Sequence, residues 1–391
     1  MQKNNHPTQI LIIGGGFAGL NAYTLLQKNN KNNKLNIKLI SEKDYFLFTP
    51  LLHEIASNNL SHKSIQQQLS DVVNCNDFIK AKIEYINTKD NVIIDSNQTK
   101  YNFGYLILAT GAITNYFNTI GAKEFTIPLK TLSDAIKISK TLNDLCLQNK
   151  QIKIALIGAG PTSIELATEI SCYFKKKNFL NGQITIINKG SMPVETFPEF
   201  IQAETKNVLE KKHIRVINNC IVSKIEDKKI FTSNNEQIDF DLAIWTAGVT
   251  PNYPQFDITL KTDMQNRIIT NQYLQLEQAN NIYINGDISS IQMPNETKSV
   301  PMLAQAAVQE AKITAHNIIQ QINQKPLSPF NYESKGLLIS LGKYSAAGQI
   351  GNIKITGFFA WIIWRTIYLF NFKSWKKRFS IAYEWSINLF E

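Results

Sequence analysis

An α/β fold with two Rossmann-like dinucleotide-binding domains is predicted by three observations. The first is a strand, glycine turn and helix signature at Gln9–Leu20, QILIIGGGFAGL. The second is a copy of that pattern at 152–170, IKIALIGAGPTSIELATEI, whose first glycine lies 144 positions further on (Gly14 to Gly158). The third is Glu42, which ends the next apolar strand, Ile37–Ile40, 23 positions past Gly19, near the spacing such a unit requires.

In the first copy, the β-branched run Ile10–Ile13 reads as a strand, and Gly14, Gly16 and Gly19 form G-x-G-x-x-G around Gly15, Phe17 and Ala18. Gly14 allows the sharp turn, Gly16 lets a pyrophosphate reach the backbone, and Gly19 lets the helix pack on the strand. The helix N-terminus then offers unpaired N–H groups to the phosphates. Glu42, followed by Lys43, is placed to accept the ribose hydroxyls of this first nucleotide.

Residues 41–56, SEKDYFLFTPLLHEIA, read as a loop entering a helix at Thr49-Pro50, with Tyr45, Phe46 and Phe48 explained by ordinary packing. Residues 78–108 alternate short strands and turns. The apolar strand Tyr105–Leu108 ends in Ala109-Thr110-Gly111, and ligand contacts gather at such carboxyl ends. Residues 131–150 read as a helix.

The second copy carries Gly158, Gly160, Pro161 and Thr162, with Ser163 in the third glycine position. Two such units imply two dinucleotides and electron transfer between them. The next strand, QITIINKG, holds Asn188 and Lys189 where an acidic residue selects an unphosphorylated ribose. Asn188 can bond ribose hydroxyls; Lys189 is either solvated or favours a 2′-phosphate, so NADH and NADPH are both open. A helix at Pro198–Lys212 and short strands lead to FDLAIWTAGVTPN (240–252), which mirrors the earlier strand end with Ala247-Gly248. NIYINGDISSI (281–291) ends a strand in Gly286-Asp287, either a turn aspartate or a ribityl ligand. In the helix predicted over 300–318, Gln305 and Gln309 share a face beside Ala304. Their amides suit a carbonyl ligand such as a quinone or the flavin pyrimidine, although solvated glutamines are the plainer reading of the pair alone.

A chain of 391 residues implies two or three domains. Four scattered cysteines with no C-x-x-C suggest neither a disulfide framework nor a zinc cluster, and fit a reducing compartment. The net charge of +10 suits anionic lipid or nucleic acid, and part of it reflects an Asn-, Lys- and Ile-rich composition. The N-terminus has no apolar signal core, and no stretch reaches the ~20 apolar residues of a spanning helix. GFFAWIIWRTIYLF (357–370) is apolar nearly all round but short and broken by Arg365. Beyond it, Phe372, Trp375, Phe379, Ala382, Tyr383, Ile387 and Phe390 recur at helical spacing, with Lys373, Lys376, Lys377 and Arg378 crowding the first turns. Trp with Lys and Arg on an amphipathic helix is the composition of an interfacial anchor on anionic lipid; a dimer interface or a cover for the core are the alternatives.

These residues together resemble the type II (alternative) NADH dehydrogenases, single-chain flavoproteins that pass electrons from NADH to membrane quinone without pumping protons. The resemblance runs over nearly the whole chain and rests on IIGGGFAGL (12–20), LFTPLLHEIA (47–56), LATGA (108–112), IGAGPTSIELATEI (157–170), IWTAGVTPN (244–252), YINGD (283–287), AQAAVQEA (304–311) and the aromatic C-terminus. It implies a glutathione-reductase-like pair of domains, FAD-binding over 1–115 and 251–335 and NAD(P)H-binding over 116–250. C-terminal amphipathic membrane-binding helices follow within 336–391. It implies FAD on Gly14–Gly19, Glu42, Thr49-Pro50, Asp287 and Ala304-Gln305, and the nicotinamide nucleotide on Gly158–Ser163 and Ala247-Gly248. Quinone is implied near Gln305 and Gln309, and Glu165 matches a glutamate near the nicotinamide, against the plainer reading of a helix-capping charge. The implied chemistry is a hydride relay from nicotinamide C4 to flavin N5, then two electrons to quinone. The implied location is peripheral, on the cytoplasmic face of the inner membrane, through lipid contacts of residues 357–391, with no nucleic-acid partner; a homodimer is compatible. The departures are Ser163 for glycine and Asn188 for an acid. A sulfide:quinone oxidoreductase of the same fold would need cysteines beside the flavin. A non-catalytic flavin-bearing sensor of the NAD(P)H pool is the alternative of another class.

Overall fold

In a computed structural model that describes residues 7–31, 34–148, 150–293, 299–372 and 374–390, the chain divides into two units. The first comprises Met1–Leu47, Gln66–Ile113 and Val249–Ser334; the second comprises Phe48–Ile65, Thr114–Gly248 and Lys335–Glu391.

The first unit is built around the strand Thr8–Ile13, paired in parallel with Leu35–Ser41 on one side and Tyr105–Leu108 on the other. The sheet continues to Phe78–Lys80 at one edge and to Ala279–Ile284 and Gln275–Leu276 at the other. Ile10, Leu11, Ile12 and Ile13 are all buried, because helices cover one face of the sheet and antiparallel strands the other. This is why the run is continuously apolar instead of alternating. The helix Phe17–Asn29 packs on the helix Ala304–Ile322 through small residues, Ala18 and Ala22 facing the side of Ala307 and Ala311. A four-stranded sheet completes the unit: Ile83–Asn87, Val92–Asp95 and Lys100–Asn102 run antiparallel, and Gln255–Phe256 pairs in parallel with the first of them.

The second unit repeats the plan. A five-stranded parallel sheet runs in the order Ile127–Pro128, Leu242–Trp245, Ile152–Ile157, Gly182–Ile187, Arg215–Ile217. Its annex is an antiparallel three-stranded sheet, Val222–Glu226, Lys229–Thr232 and Gln237–Asp239. The two-fold α/β architecture expected from the repeated glycine signature is therefore present. The helix Leu52–Ala56 packs on Leu132–Leu147 and on Pro161–Lys176.

The second unit ends in an antiparallel sheet, Leu337–Ser340, Ala346–Ile350 and Ile353–Thr356, covered by the helix Gly357–Asn371 and followed by Trp375–Phe390. The first of these helices buries Ala360, Trp361 and Trp364 and leaves Phe358, Phe359 and Phe370 exposed. The second buries Ile381 and Trp385 and exposes Trp375, Phe379 and Tyr383. Two expectations drawn from spacing are corrected. Phe372 does not belong to the exposed stripe; it is buried 4.5 Å, centroid to centroid, from Phe48. Arg378 is not a free surface cation. Its guanidinium donates to the Phe372 carbonyl at 2.7 Å and the Phe370 carbonyl at 3.2 Å, satisfying the open end of the preceding helix. Lys373 and the Phe390 side chain lie outside the described residues. Among the described residues no helix is long and apolar enough to cross a membrane.

Candidate active site

The first glycine turn sits between the ends of two strands. The Gly14 amide donates to the Ile40 carbonyl at 2.8 Å, and the Ala109 amide donates to the Ile13 carbonyl at 2.8 Å. Gly14 has φ +110°, and a Cβ there would overlap the Ala109 carbonyl oxygen. A Cβ at Gly19 would likewise overlap the Gly14 carbonyl oxygen, so the helix lies directly on the turn. Around Gly16, by contrast, nothing lies within 4 Å of where a Cβ would be. The helix begins there with no side-chain cap, which leaves its first N–H groups for a ligand. Open space beside uncapped donors fits a pyrophosphate.

The other expected residues of this unit are placed as follows. Gly15 backs onto Leu69 and Ser41, Phe17 meets Phe46 edge-on at 5.0 Å, and Ala18 is buried. Glu42 and Lys43 are exposed just past the strand Leu35–Ser41, the Lys43 ammonium 5.8 Å from the Tyr45 ring centre. The Thr110 hydroxyl donates to the Asn252 carbonyl, and the Asn252 amide donates to the Gly111 carbonyl at 3.0 Å. Gly286 and Asp287 form a 3-10 turn after the strand Ala279–Ile284, and a Cβ at Gly286 would lie 3.6 Å from the Ala18 Cβ.

Ala304 and Gln305 open the helix Ala304–Ile322, again without a side-chain cap. Gln309 braces a loop: its Nε2 donates to the Glu333 carbonyl at 2.9 Å and its Oε1 accepts from the Glu333 amide at 3.1 Å. The next residue, Glu310, was missed. It is buried, accepts from the Gly286 amide, and burial pushes its carboxyl up to about 8. Its position on the face of Ala306, Ala307 and Ala311 was the available signal.

In the second unit Gly158 has φ +102°, and a Cβ there would lie 2.7 Å from the Ala247 Cα. This is the same docking of a glycine turn on the end of a neighbouring strand. Gly160 has open space within 4 Å of a Cβ position, as Gly16 has, and Pro161, Thr162 and Ser163 lead an uncapped helix. Ser163 is fully buried, so this turn accommodates a small side chain where the first does not. Gly248 lies against the Phe117 ring. Asn188 is buried, its amide bonded within its own loop, and Lys189 is exposed. Thr49 and Pro50 form the start of a 3-10 turn in this second unit.

Glu165 is no capping charge: it is 8% exposed, one turn inside the helix Pro161–Lys176, beside a group of ionisable residues absent from the expected site. Its Oε1 accepts from the Ser340 amide at 3.2 Å, and its Oε2 lies 3.5 Å from His53 Nδ1. Burial pushes Glu165 up to about 8 and His53 down to about 3, so at neutral pH this is a contact between a carboxylic acid and a neutral imidazole. Glu169 accepts from Asn59 Nδ2 at 2.7 Å and Glu54 from Trp385 Nε1 at 2.9 Å. Burial raises both carboxyls, Glu54 to about 7, and the Arg365 guanidinium opposes the shift. Arg365 itself lies between the Trp361 and Trp385 rings, 3.9 and 4.7 Å from their centres. The residue that broke the apolar run is thus the inward-facing counter-charge of two buried carboxyls. His53 Nε2 is buried with no hydrogen-bond partner among the described residues, polar capacity a ligand can use. Also among the described residues, no group of His, Cys, Asp and Glu could hold a metal.

Two mostly parallel sheets, each with an open glycine turn at an uncapped helix start, are the build of a nucleotide-dependent oxidoreductase. Residues 8–311 match the family model for pyridine nucleotide-disulphide oxidoreductases, and residues 334–391 match the NDH2 C-terminal domain. The chain belongs to the pyridine nucleotide-disulphide oxidoreductase family and, with that C-terminal domain, to its type II NADH dehydrogenase branch. It is 28% identical over 391 residues to a demethylphylloquinone reductase of Synechocystis sp., covering 96% of this chain and 95% of the relative. It is 26% identical over 391 residues to a type II NADH:quinone oxidoreductase of Haemophilus influenzae, covering 88% and 87%. The fold is that of NDH2 from Plasmodium falciparum, solved with NADH, at TM-score 0.85 and 23% identity, covering 97% of this chain and 98% of that one.

The raised carboxyl of Glu165 makes a stability prediction. A group shifted from its ordinary 4.5 up to about 8 binds its proton more tightly when folded. Its contribution is therefore full below about pH 4.5 and lost as pH rises towards 8. Glu165→Gln, which imitates the protonated acid, should flatten the fall in melting temperature between about pH 5 and 8. An unchanged slope would contradict the assignment.

Proposed function

We infer that this chain is an NADH:quinone oxidoreductase that pumps no protons, with FAD in the cradle of the first unit and NADH in that of the second. The observation that carries this reading is the duplicated cradle, with space at Gly16 and again at Gly160. The demethylphylloquinone reductase of Synechocystis and the type II NADH:quinone oxidoreductase of Haemophilus, both similar to this chain, support it.

Bound in the first cradle, a flavin supplies two-electron chemistry between a hydride donor and a quinone. The chain's own residues bind, orient and hold protons. The N–H groups at the start of Phe17–Asn29 take the pyrophosphate, and Glu42 accepts from the ribose hydroxyls. Gly286 brings its turn close against Ala18, with Asp287 beside it for the ribityl chain. In the second unit the turn Gly158–Ser163 takes the phosphates of NADH. Glu165 holds its proton at neutral pH, so it presents an O–H, not a negative charge, and a hydride donor meets no anion there. Gln305, whose amide both donates and accepts, is matched to a quinone carbonyl.

The exposed aromatic faces of Gly357–Asn371 and Trp375–Phe390 seat the protein on anionic lipid at the cytoplasmic face of the inner membrane, giving access to a lipid-dissolved acceptor. A sulfide:quinone oxidoreductase is disfavoured, because none of the four cysteines, the last of them Cys220, lies in the C-terminal third of the sequence.

Anaerobic NADH should bleach the flavin of the purified protein, and a short-chain quinone should restore the colour. Gln305→Ala should slow the second step by about tenfold or more while sparing the first, the cost of one lost ligand hydrogen bond. Equal losses in both steps would remove Gln305 from the quinone site, and a colourless protein that refuses flavin would overturn the function. For the membrane, Phe359→Glu with Phe379→Glu should abolish sedimentation with anionic liposomes at an unchanged melting temperature. Retained sedimentation, or a switch from dimer to monomer instead, would contradict the lipid seat.

A further inference from the structure

In nucleotide-binding units of this build, the turn after the second strand reads the adenosine ribose. An acidic residue bonds the hydroxyls of an unphosphorylated dinucleotide, and a basic one accommodates a 2′-phosphate. Here that strand is Gly182–Ile187, and Asn188 follows it. Asn188 serves neither purpose. Its Nδ2 donates to the Gly190 carbonyl at 3.1 Å, the Met192 carbonyl at 3.0 Å and the Asn218 Oδ1 at 2.9 Å. Its Oδ1 accepts from the Gly190 amide at 3.2 Å. The side chain braces its own loop.

The loop carries an acid of its own, further along. Val194 is buried at φ +47°, a left-handed conformation that a β-branched residue adopts only when its surroundings force it. Its amide donates to the Ala159 carbonyl at 2.9 Å, inside the glycine turn Gly158–Gly160. That bond fastens the loop to the second cradle and turns Glu195 back over the loop's start. Glu195 Oε1 accepts from the Ser191 hydroxyl at 2.9 Å. Its Oε2 lies 2.6 Å from where a Cβ at position 190 would be, a place only glycine leaves free. A strained valine and a bare glycine together hold the carboxylate of Glu195, seven positions beyond Asn188 in the chain, over Gly190 at the turn that meets the ribose.

We propose that Glu195 reads the adenosine ribose of the nicotinamide nucleotide and makes this chain selective for NADH over NADPH. The proposal rests on the second cradle being the NADH site. The carboxylate accepts from the 2′- and 3′-hydroxyls, whereas a 2′-phosphate in that position would bring two anions together. Lys189, exposed next to this loop, is the residue a phosphate would use once Glu195 is neutral.

The test titrates ADP-ribose and 2′-phospho-ADP-ribose into the flavin-loaded full chain by calorimetry, alongside anaerobic flavin reduction by NADH and NADPH. The wild type should favour the unphosphorylated ligand by about tenfold or more, and Glu195→Gln should remove about tenfold of that ratio, the scale of one charged hydrogen bond. Adding Lys189→Ala to Glu195→Gln should withdraw the gain for the phosphorylated ligand. Wild type that prefers the phosphorylated ligand overturns the proposal, as does a Glu195→Gln protein that melts normally with its ratio unchanged. Should Glu195→Gln melt early, Ser191→Ala, which frees the carboxylate from its anchor, must move the ratio the same way, and an unmoved ratio overturns the proposal. A wild-type protein that holds flavin but binds neither ligand overturns the reading of the second cradle itself, a result distinct from lost selectivity.

Discussion

The Ala109 carbonyl oxygen occupies the space a side chain at Gly14 would need. That contact fixes the first unit. It lets the strand Thr8–Ile13 end level with its neighbours and sends the chain straight into a helix whose free N–H groups point over the sheet's edge. Gly158 against Ala247 does the same in the second unit, with different side chains and equivalent geometry. A phosphate site made of backbone needs no charged residue to be present in the sequence. What it needs is the removal of atoms, and glycine is the only residue that removes them.

The second constraint is electrostatic. Within the second unit, Glu54, Glu165 and Glu169 are buried; Arg365 opposes the shift at Glu54 and Glu169, Lys212 adds to it at Glu169, and neither acts on Glu165. Three ionised carboxylates so placed would be severely unfavourable in that environment. The interior answers by keeping Glu165 protonated and by drawing Arg365 and Trp385 inward from the C-terminal helices. Those helices therefore have two jobs on opposite faces: an aromatic surface turned outward, and hydrogen bonds and charge turned inward. Losing their inward contacts would expose the buried carboxyls to one another without compensation.

Much of this was legible in the sequence, because glycine spacing and apolar runs report backbone geometry directly. The paired cradles, the small-residue strand ends at Ala109 and Ala247, and the helices near both turns all follow from local pattern. What escaped were contacts between positions far apart in the chain. Nothing local links Glu54 to Trp385 or Glu165 to Ser340. Arg365 read as an interruption of an apolar run because its partners are about two hundred and three hundred positions away. Gln309 read as a ligand because its spacing from Gln305 is right, while its engagement by the Glu333 backbone is invisible to spacing. For the same reason, the bonds of Asn188 to Gly190, Met192 and Asn218 do not show in its spacing.

The proposed chemistry requires one chain to hold two nucleotides at once, in two separate cradles. Native mass spectrometry of the flavin-loaded protein, titrated with NAD, distinguishes this from a single shared site. A species carrying one FAD and one NAD per chain is expected, with FAD retained at saturating NAD. A protein that sheds one FAD for each NAD it gains has one competing site, and the two-cradle reading then fails.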